Sequence, residues 1–208
     1  MNLRSRVGLF GGTFNPIHNA HLKVAKQALA QMDLAKVIFI PSKIPPHKDA
    51  EGIPPADRRY EMVKLAIQGE ENFEVSDVEI KRSGPSYTVD TIEQMKDKYE
   101  RVAFIVGADN LLKIDTWKQP EKLLDSCPFI VAPRHGQGAE DLQKGIFEGK
   151  DIRFLDMEEI DLSSTKIRKS FQNDAAVDGL VPEPVRRYIE KEGLYRSVSQ
   201  GVRSSGLN

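Results

Sequence analysis

Apolar positions along the chain fall into short runs separated by stretches of helical periodicity. Residues 7–10 (VGLF) form the first run, and AHLKVAKQALAQM behind it puts Leu22, Ala25, Leu29 and Met32 on one helical face. Residues 36–41 (KVIFIP) form the second. ADRRYEMVKLAIQG then predicts a helix ended by Gly69, with Met62, Val63, Leu65, Ala66 and Ile67 on a broad apolar side. Residues 73–80 (FEVSDVEI) alternate as a strand does, and YTVDTIEQMKDKY opens another helix. RVAFIVGAD has the strongest strand character, and CPFIVAP and DIRFLDM supply two further strands before the helical SSTKIRKSFQN.

Continuously apolar strands between helices point to a parallel sheet covered on both faces. Right-handed crossovers then make a Rossmann-like, doubly wound, mostly parallel α/β sheet with helices on both faces. A single domain is expected over residues 1–196, including a C-terminal helical part around SSTKIR, with a polar, glycine-rich and disordered tail over residues 197–208. In such a sheet ligands sit beyond the carboxyl ends of the strands. The unusual residues collect there: 11–21 after the first strand, 42–48 after the second, 107–110 after AFIV and 133–136 after FIVA. Residues 42–55, with four prolines, read as a long binding loop or lid.

Composition narrows the partners. At 208 residues and 39% hydrophobic the chain has the material for a real core, and its 30 basic and 31 acidic residues nearly cancel. No global basic field draws it to nucleic acid or to a membrane, so any phosphate must be held by local design. No run approaches membrane-span length and the N-terminus lacks a signal-peptide core, so a cytoplasmic protein is expected. The single cysteine, Cys127, excludes an internal disulfide framework and a cysteine zinc cluster, and reads as a small buried residue at the entrance to a strand.

The first loop is the chemical puzzle. Gly11 and Gly12 would let the backbone leave the strand sharply and approach a ligand, and their amides could converge on an anion with those opening the next helix. Neither GxxxxGK[ST] nor GxGxxG is present. His18 and His21, three apart, would share the amino end of that helix. A histidine-held metal lacks an identifiable third ligand, and a pair of helix-cap histidines is the plain alternative; donation to phosphate oxygens during phosphoryl or nucleotidyl transfer suits two imidazoles beside an amide-rich turn better. Ser163, Ser164 and Thr165 are natural helix caps, and an ordinary capped helix is the plain reading of SSTKIR taken by itself.

Two stretches carry a family resemblance. GGTFNPIHNAH resembles the GGTFDPIHxGH signature of the nucleotidylyltransferase superfamily, and LSSTKIR resembles its ISSTxIR motif. Asn15 stands where aspartate is common, and Ala20 where HxGH has glycine. IPPHK, SYTVDT, FIVGADNL and TWKQPEKLL together look like the bacterial nicotinate-nucleotide adenylyltransferases, a resemblance running from about residue 7 to residue 195. It implies transfer of AMP from ATP to nicotinate mononucleotide, with Mg²⁺ held mainly by the phosphates and by no protein ligand. It implies His18, His21 and Arg168 as catalytic groups, with Gly11, Gly12, Thr13 and Phe14 around the nucleotide phosphates beside Ser163, Ser164 and Thr165. Gly107, Asp109 and Pro133 would line the ATP site; Thr88 and Trp117 would take the nicotinate ring, helped by Arg134, His47, Lys48 and Ser42, the last where relatives often carry asparagine. A homodimer is compatible with it. The rivals are the same chemistry on nicotinamide mononucleotide, and a non-catalytic nucleotide-binding sensor on the same fold.

Overall fold

A computed structural model of the chain describes residues 6–44, 52–133, 142 and 144–196. Six strands, β1 (Arg6–Gly12), β2 (Leu34–Pro41), β3 (Phe73–Val75), β4 (Val102–Gly107), β5 (Phe129–Ala132) and β6 (Ile152–Phe154), form one sheet in the order β3-β2-β1-β4-β5-β6. Each pairing is parallel. This is the doubly wound Rossmann order, with β1 at the centre and the direction of winding reversing beside it. The helices are α1 (Asn19–Gln31), α2 (Ala56–Ala66), α3 (Val78–Lys81), α4 (Thr88–Lys96), α5 (Ala108–Leu111), α6 (Pro120–Ser126), α7 (Ser164–Gln172) and α8 (Glu183–Lys191). Among the described residues no helix is long and apolar enough to cross a membrane.

Strand alternation divides the apolar runs between two cores. Phe10, Phe39, Ile105 and Ile130 face one side, packed with Ala25, Ala28, Met62 and Val63. Leu9, Ile38, Phe104 and Phe129 face the other, with Ile92, Met95, Leu123 and Leu124. Each Val, Leu, Ile, Phe or Met side chain buried this way contributes about 1.5–3 kcal/mol. Ile167, Val185 and Ile189 from α7 and α8 belong to the first core, so the C-terminal helices share its packing. The α1 stripe centres on fully buried Ala25 and Ala28, with Leu22, Leu29 and Met32 at its margins. Cys127 is buried just before β5, and burial pushes its thiol up to about 11.

Two expectations need correction. Residues 73–80 are a strand only through Val75; Val78–Lys81 coil into one helical turn. The alternation misled because that turn buries two adjacent residues, Val78 and Glu79. Nor do the two glycines make the first turn. β1 continues through them, Gly11 beside Ile40 and Gly12 beside Pro41. The chain turns instead at Phe14, which takes φ 46, in the left-handed region. The glycines make room for aromatic rings: a Cβ on Gly11 would sit 3.1 Å from the Phe104 ring, and one on Gly12 3.0 Å from the Phe14 ring.

The loops at the carboxyl ends of β1 and β2 are tied together by one buried cation. Arg59, 1% exposed, donates through Nη1 to the Thr13 carbonyl at 2.7 Å, through Nη2 to Ser42 at 2.6 Å and Lys43 at 3.2 Å, and through Nε to Pro54 at 3.0 Å. Burial lowers its pKa from the ordinary arginine value, while Tyr195, Asp57 and Glu79 oppose the shift. A guanidinium remains charged regardless, and its planar fork suits converging carbonyls as an ammonium cannot. Arg59→Met should therefore lower stability by about 3 kcal/mol or more, since it leaves desolvated carbonyls without donors. That corresponds to a Tm lower by roughly 6–12 °C in a chain of this size. Calorimetry of the purified variant measures it, and an unchanged Tm would mean that the loops hold without the cation.

Candidate active site

A cavity of about 970 Å³ opens beyond the carboxyl ends of β1, β2, β4 and β5, at the point where the winding reverses. Gly11, Gly12, Thr13 and Phe14 line it from the first strand and loop. His18 is the N-cap of α1, in extended conformation, and is 3% exposed. Its ring stacks on that of His21 with centroids 3.7 Å apart, and its backbone N–H donates to His21 Nδ1 at 3.3 Å. Phe14 meets the His21 ring edge-on at 5.1 Å. Both imidazoles are thus held by neighbours and both line the cavity.

The second motif reaches the same cavity from the far end of the chain. Ser163 caps α7, its Oγ accepting from the Lys166 N–H at 3.3 Å. Ser164 Oγ donates to the Pro16 carbonyl at 3.0 Å, so its hydroxyl proton is committed to the first loop. Arg168 Nη1 donates to the Asn15 carbonyl at 2.9 Å, and Nη2 to Thr165 Oγ1 at 3.4 Å. Tyr195 OH donates to Asn15 Oδ1 at 2.7 Å, and Asn19 bonds the carbonyls of Gly179 and Leu180. Residues 15–19 are therefore gripped by three separate C-terminal segments. Ser163, Ser164, Thr165 and Arg168 all line the cavity, but in this arrangement Ser164 and Arg168 also position the first loop.

On the other side, Thr88 begins α4 after an extended Tyr87. Trp117 follows a single 3-10 turn and meets Phe104 edge-on at 6.4 Å. Both line the cavity, as do Asp109 and Pro133. Gly107 lines it too and caps α5, which places Asp109 inside that helix. A Cβ on Gly107 would fall 2.7 Å from Asp109 Oδ1, so the missing side chain is the space the carboxylate occupies. Ser42, 8% exposed, donates its N–H to the Gly12 carbonyl, while its buried Oγ has no hydrogen-bond partner among the described residues. Arg134, His47 and Lys48 lie outside the described residues, as does the tail at 197–208.

Comparison with known proteins shows the family. The cytidylyltransferase-like family model matches residues 9–170. The Bacillus subtilis (strain 168) nicotinate-nucleotide adenylyltransferase is 39% identical over 194 residues, 92% of this chain and 99% of that protein. The chain belongs to the nicotinate-nucleotide adenylyltransferase family. Another family member, the Clostridium novyi (strain NT) protein named "probable nicotinate-nucleotide adenylyltransferase", is 46% identical over 91% of this chain and 98% of its own length. The fold is shared with the Plasmodium falciparum nicotinic acid mononucleotide adenylyltransferase complexed with NaAD, at 19% identity and a TM-score of 0.78, covering 92% of this chain and 97% of that one.

Sequence reasoning missed Arg59, Glu79 and Tyr195. Arg59 had a readable signal: it lies three, four and seven positions before Met62, Val63 and Ala66, on the apolar stripe of its helix. Glu79, 7% exposed and facing the cavity, accepts from Thr91 Oγ1 at 2.7 Å. Burial raises its carboxyl above the usual range, against hydrogen bonds from Thr91 and Ser86 and the charges of Arg82 and Arg59. The strand-like pattern around it concealed the turn that points it inward. Tyr195 had no local signal, because its role depends on reaching Asn15 from 180 residues away.

Tyr195→Phe removes only the hydroxyl that bonds Asn15. A bond of that kind is worth about 1 kcal/mol, so turnover should fall by up to about tenfold as the loop bearing His18 loosens. Steady-state kinetics read this directly, and an unchanged kcat would mean that Arg168 and Ser164 suffice to hold the loop.

Proposed function

We propose that the chain transfers AMP from ATP to nicotinate mononucleotide, forming deamido-NAD and pyrophosphate. The observation carrying this reading is the convergence of two phosphate-suited stretches on one cavity. The stacked His18 and His21 come from the amino end of α1, and α7 brings Arg168 to the Asn15 carbonyl, three residues before His18, on the same cavity. A phosphate oxygen of the acceptor attacks the α-phosphorus of ATP, the bond from that phosphorus to its bridging oxygen breaks, and pyrophosphate leaves with the electron pair. The acceptor phosphate is already a nucleophile, so the protein needs neither an activated serine nor a strong base.

Its work is alignment and charge stabilisation. Because His21 Nδ1 accepts from the His18 backbone, the proton of a neutral His21 ring sits on Nε2, the nitrogen suited to donate to a phosphate oxygen. The amides opening α1 and α7 add fixed partial positive charge. Arg168, within reach of the same loop, balances the charge that builds on the leaving phosphates. The cavity's hydroxyls, amides, imidazoles and guanidinium are donors fitted to phosphate oxygens. Among the described residues no group of three His, Cys, Asp or Glu side chains is placed to hold a metal. Mg²⁺ bound to the ATP phosphates would offset part of their charge, with the cavity's donors left to take the remaining phosphate oxygens.

For the acceptor, the amino end of α4 offers the Thr88 hydroxyl and backbone donors to a carboxylate, and Trp117 offers an apolar face to the pyridine. An amide in place of that carboxylate would set NH₂ against donors and leave them unpaired, which favours nicotinate over nicotinamide. Gly107 ends β4 and Asp109 follows it in α5, where its carboxylate would accept from ribose hydroxyls.

Pyrophosphate release with ATP and Mg²⁺ should be fastest with nicotinate mononucleotide, compared with nicotinamide mononucleotide and phosphopantetheine. Preference for either of the others would overturn the acceptor assignment and keep the chemistry; no release with any would favour a sensor. His18→Ala should retain its far-UV circular dichroism and lose about 10²–10³ in kcat, the usual cost of removing one transition-state donor; unchanged turnover would remove that role. Thr88→Ala should raise the KM for nicotinate mononucleotide more than that for ATP, and equal losses would mean the acceptor lies elsewhere.

A further inference from the structure

The seam between α4 and α6 carries a ladder of polar contacts with no part in the phosphate chemistry. Lys118 Nζ lies 3.0 Å from both carboxylate oxygens of Asp90 and 4.7 Å from the centroid of the Tyr87 ring. One turn along, Lys122 Nζ pairs with Glu93 Oε1 at 2.5 Å. At the far end Lys96 Nζ donates to the Ser126 carbonyl. The α4 side of the ladder steps by three residues along one face of the helix, and the facing side steps by four.

The rung at Lys118 is distinguished by its place. Asp90 is two residues beyond Thr88 in the first turn of α4, and Lys118 is the neighbour of Trp117. Tyr87, Thr88, Trp117 and Lys118 all line the cavity. The segment carrying Trp117 bends sharply: Trp117 is extended after its 3-10 turn, and Gln119 takes φ 53 immediately before Pro120. A side chain other than glycine keeps that conformation only where its surroundings hold it. Lys118 spans from this bend to the helix that bears Thr88, joining the two walls of the acceptor site.

We infer that Lys118 and Asp90, with the Tyr87 ring as a third wall, are positioning residues that set the gap between Trp117 and the amino end of α4, and thereby the fit of a flat heteroaromatic carboxylate between them. The inference rests on the acceptor-site reading given above. Both side chains are partly exposed, at 40% and 33%, so the pair is screened and tunes affinity rather than deciding it.

Asp90→Asn and Lys118→Met should each raise the KM for nicotinate mononucleotide about two- to fivefold, with kcat and the KM for ATP unchanged. The exchange of Asp90→Lys with Lys118→Asp should return it to within about twofold of the starting value, because the pair rather than either charge does the positioning. Trp117 is the chain's single tryptophan, so its fluorescence reports the wall itself. Emission should move to the red and become more open to acrylamide in both single variants, and the exchange should reverse this. A lower acceptor KM in Asp90→Asn would mean that released Lys118 takes the anionic acceptor itself, overturning the positioning role. Unchanged KM and emission in both single variants, while Trp117→Ala raises the acceptor KM, would overturn it as well. If Trp117→Ala leaves the acceptor KM unchanged, the acceptor-site reading fails first and the inference falls with it.

Discussion

The site depends on a cation that does not line it. Arg59 sits fully buried with its donors on the carbonyls of Thr13, Ser42, Lys43 and Pro54, where three stretches of irregular chain meet. Irregular backbone folded inward leaves carbonyls that neither helix nor sheet can satisfy. A guanidinium satisfies several at once with one side chain, and α2 delivers it from a stripe otherwise used for packing. The cost is desolvation of a charge; what offsets it is a first loop and a β2 loop in fixed register. Without that register the cavity would lack a shared wall beneath Thr13 and Ser42.

The same economy governs the other side of the first loop. Ser164, Arg168 and Tyr195 are polar groups on the cavity wall, and each also commits a hydrogen bond to residues 15–16. Preorganisation is the reason this is useful. Donors that are already aimed need no rearrangement as charge develops on a transferring phosphoryl group. The stacked imidazoles of His18 and His21, pinned by Phe14 and by a backbone N–H, follow the same rule.

Much of this was legible in the residues. The apolar runs of β1, β2, β4 and β5 read as strands buried on both faces must, and they placed the sheet and the edge at which the cavity opens. His18, Trp117 and Thr88 were singled out, and all three line the cavity. What could not be read was local competition between neighbours. Gly11 and Gly12 looked like a turn, yet their missing side chains accommodate Phe104 and Phe14, a fact that exists only once distant strands pair. Glu79 looked like a strand position because a single helical turn is too short to show its period. Tyr195 carried no local signal because its partner, Asn15, is at the other end of the chain.

The place of β1 has a consequence for the nascent chain. It is the central strand and the first to be synthesised, so it waits for its partners. β2 arrives early, but the opposite edge of β1 stays unpaired until β4 has been made, nearly a hundred residues later. The loop that follows β1 waits longer still, for Arg168 at a separation of 153 residues and Tyr195 at 180. Such distant closures come late and slow the search for the native state. A chain released short of its last two helices would therefore carry the sheet and both histidines without Ser164, Arg168 or Tyr195 to hold the loop between them.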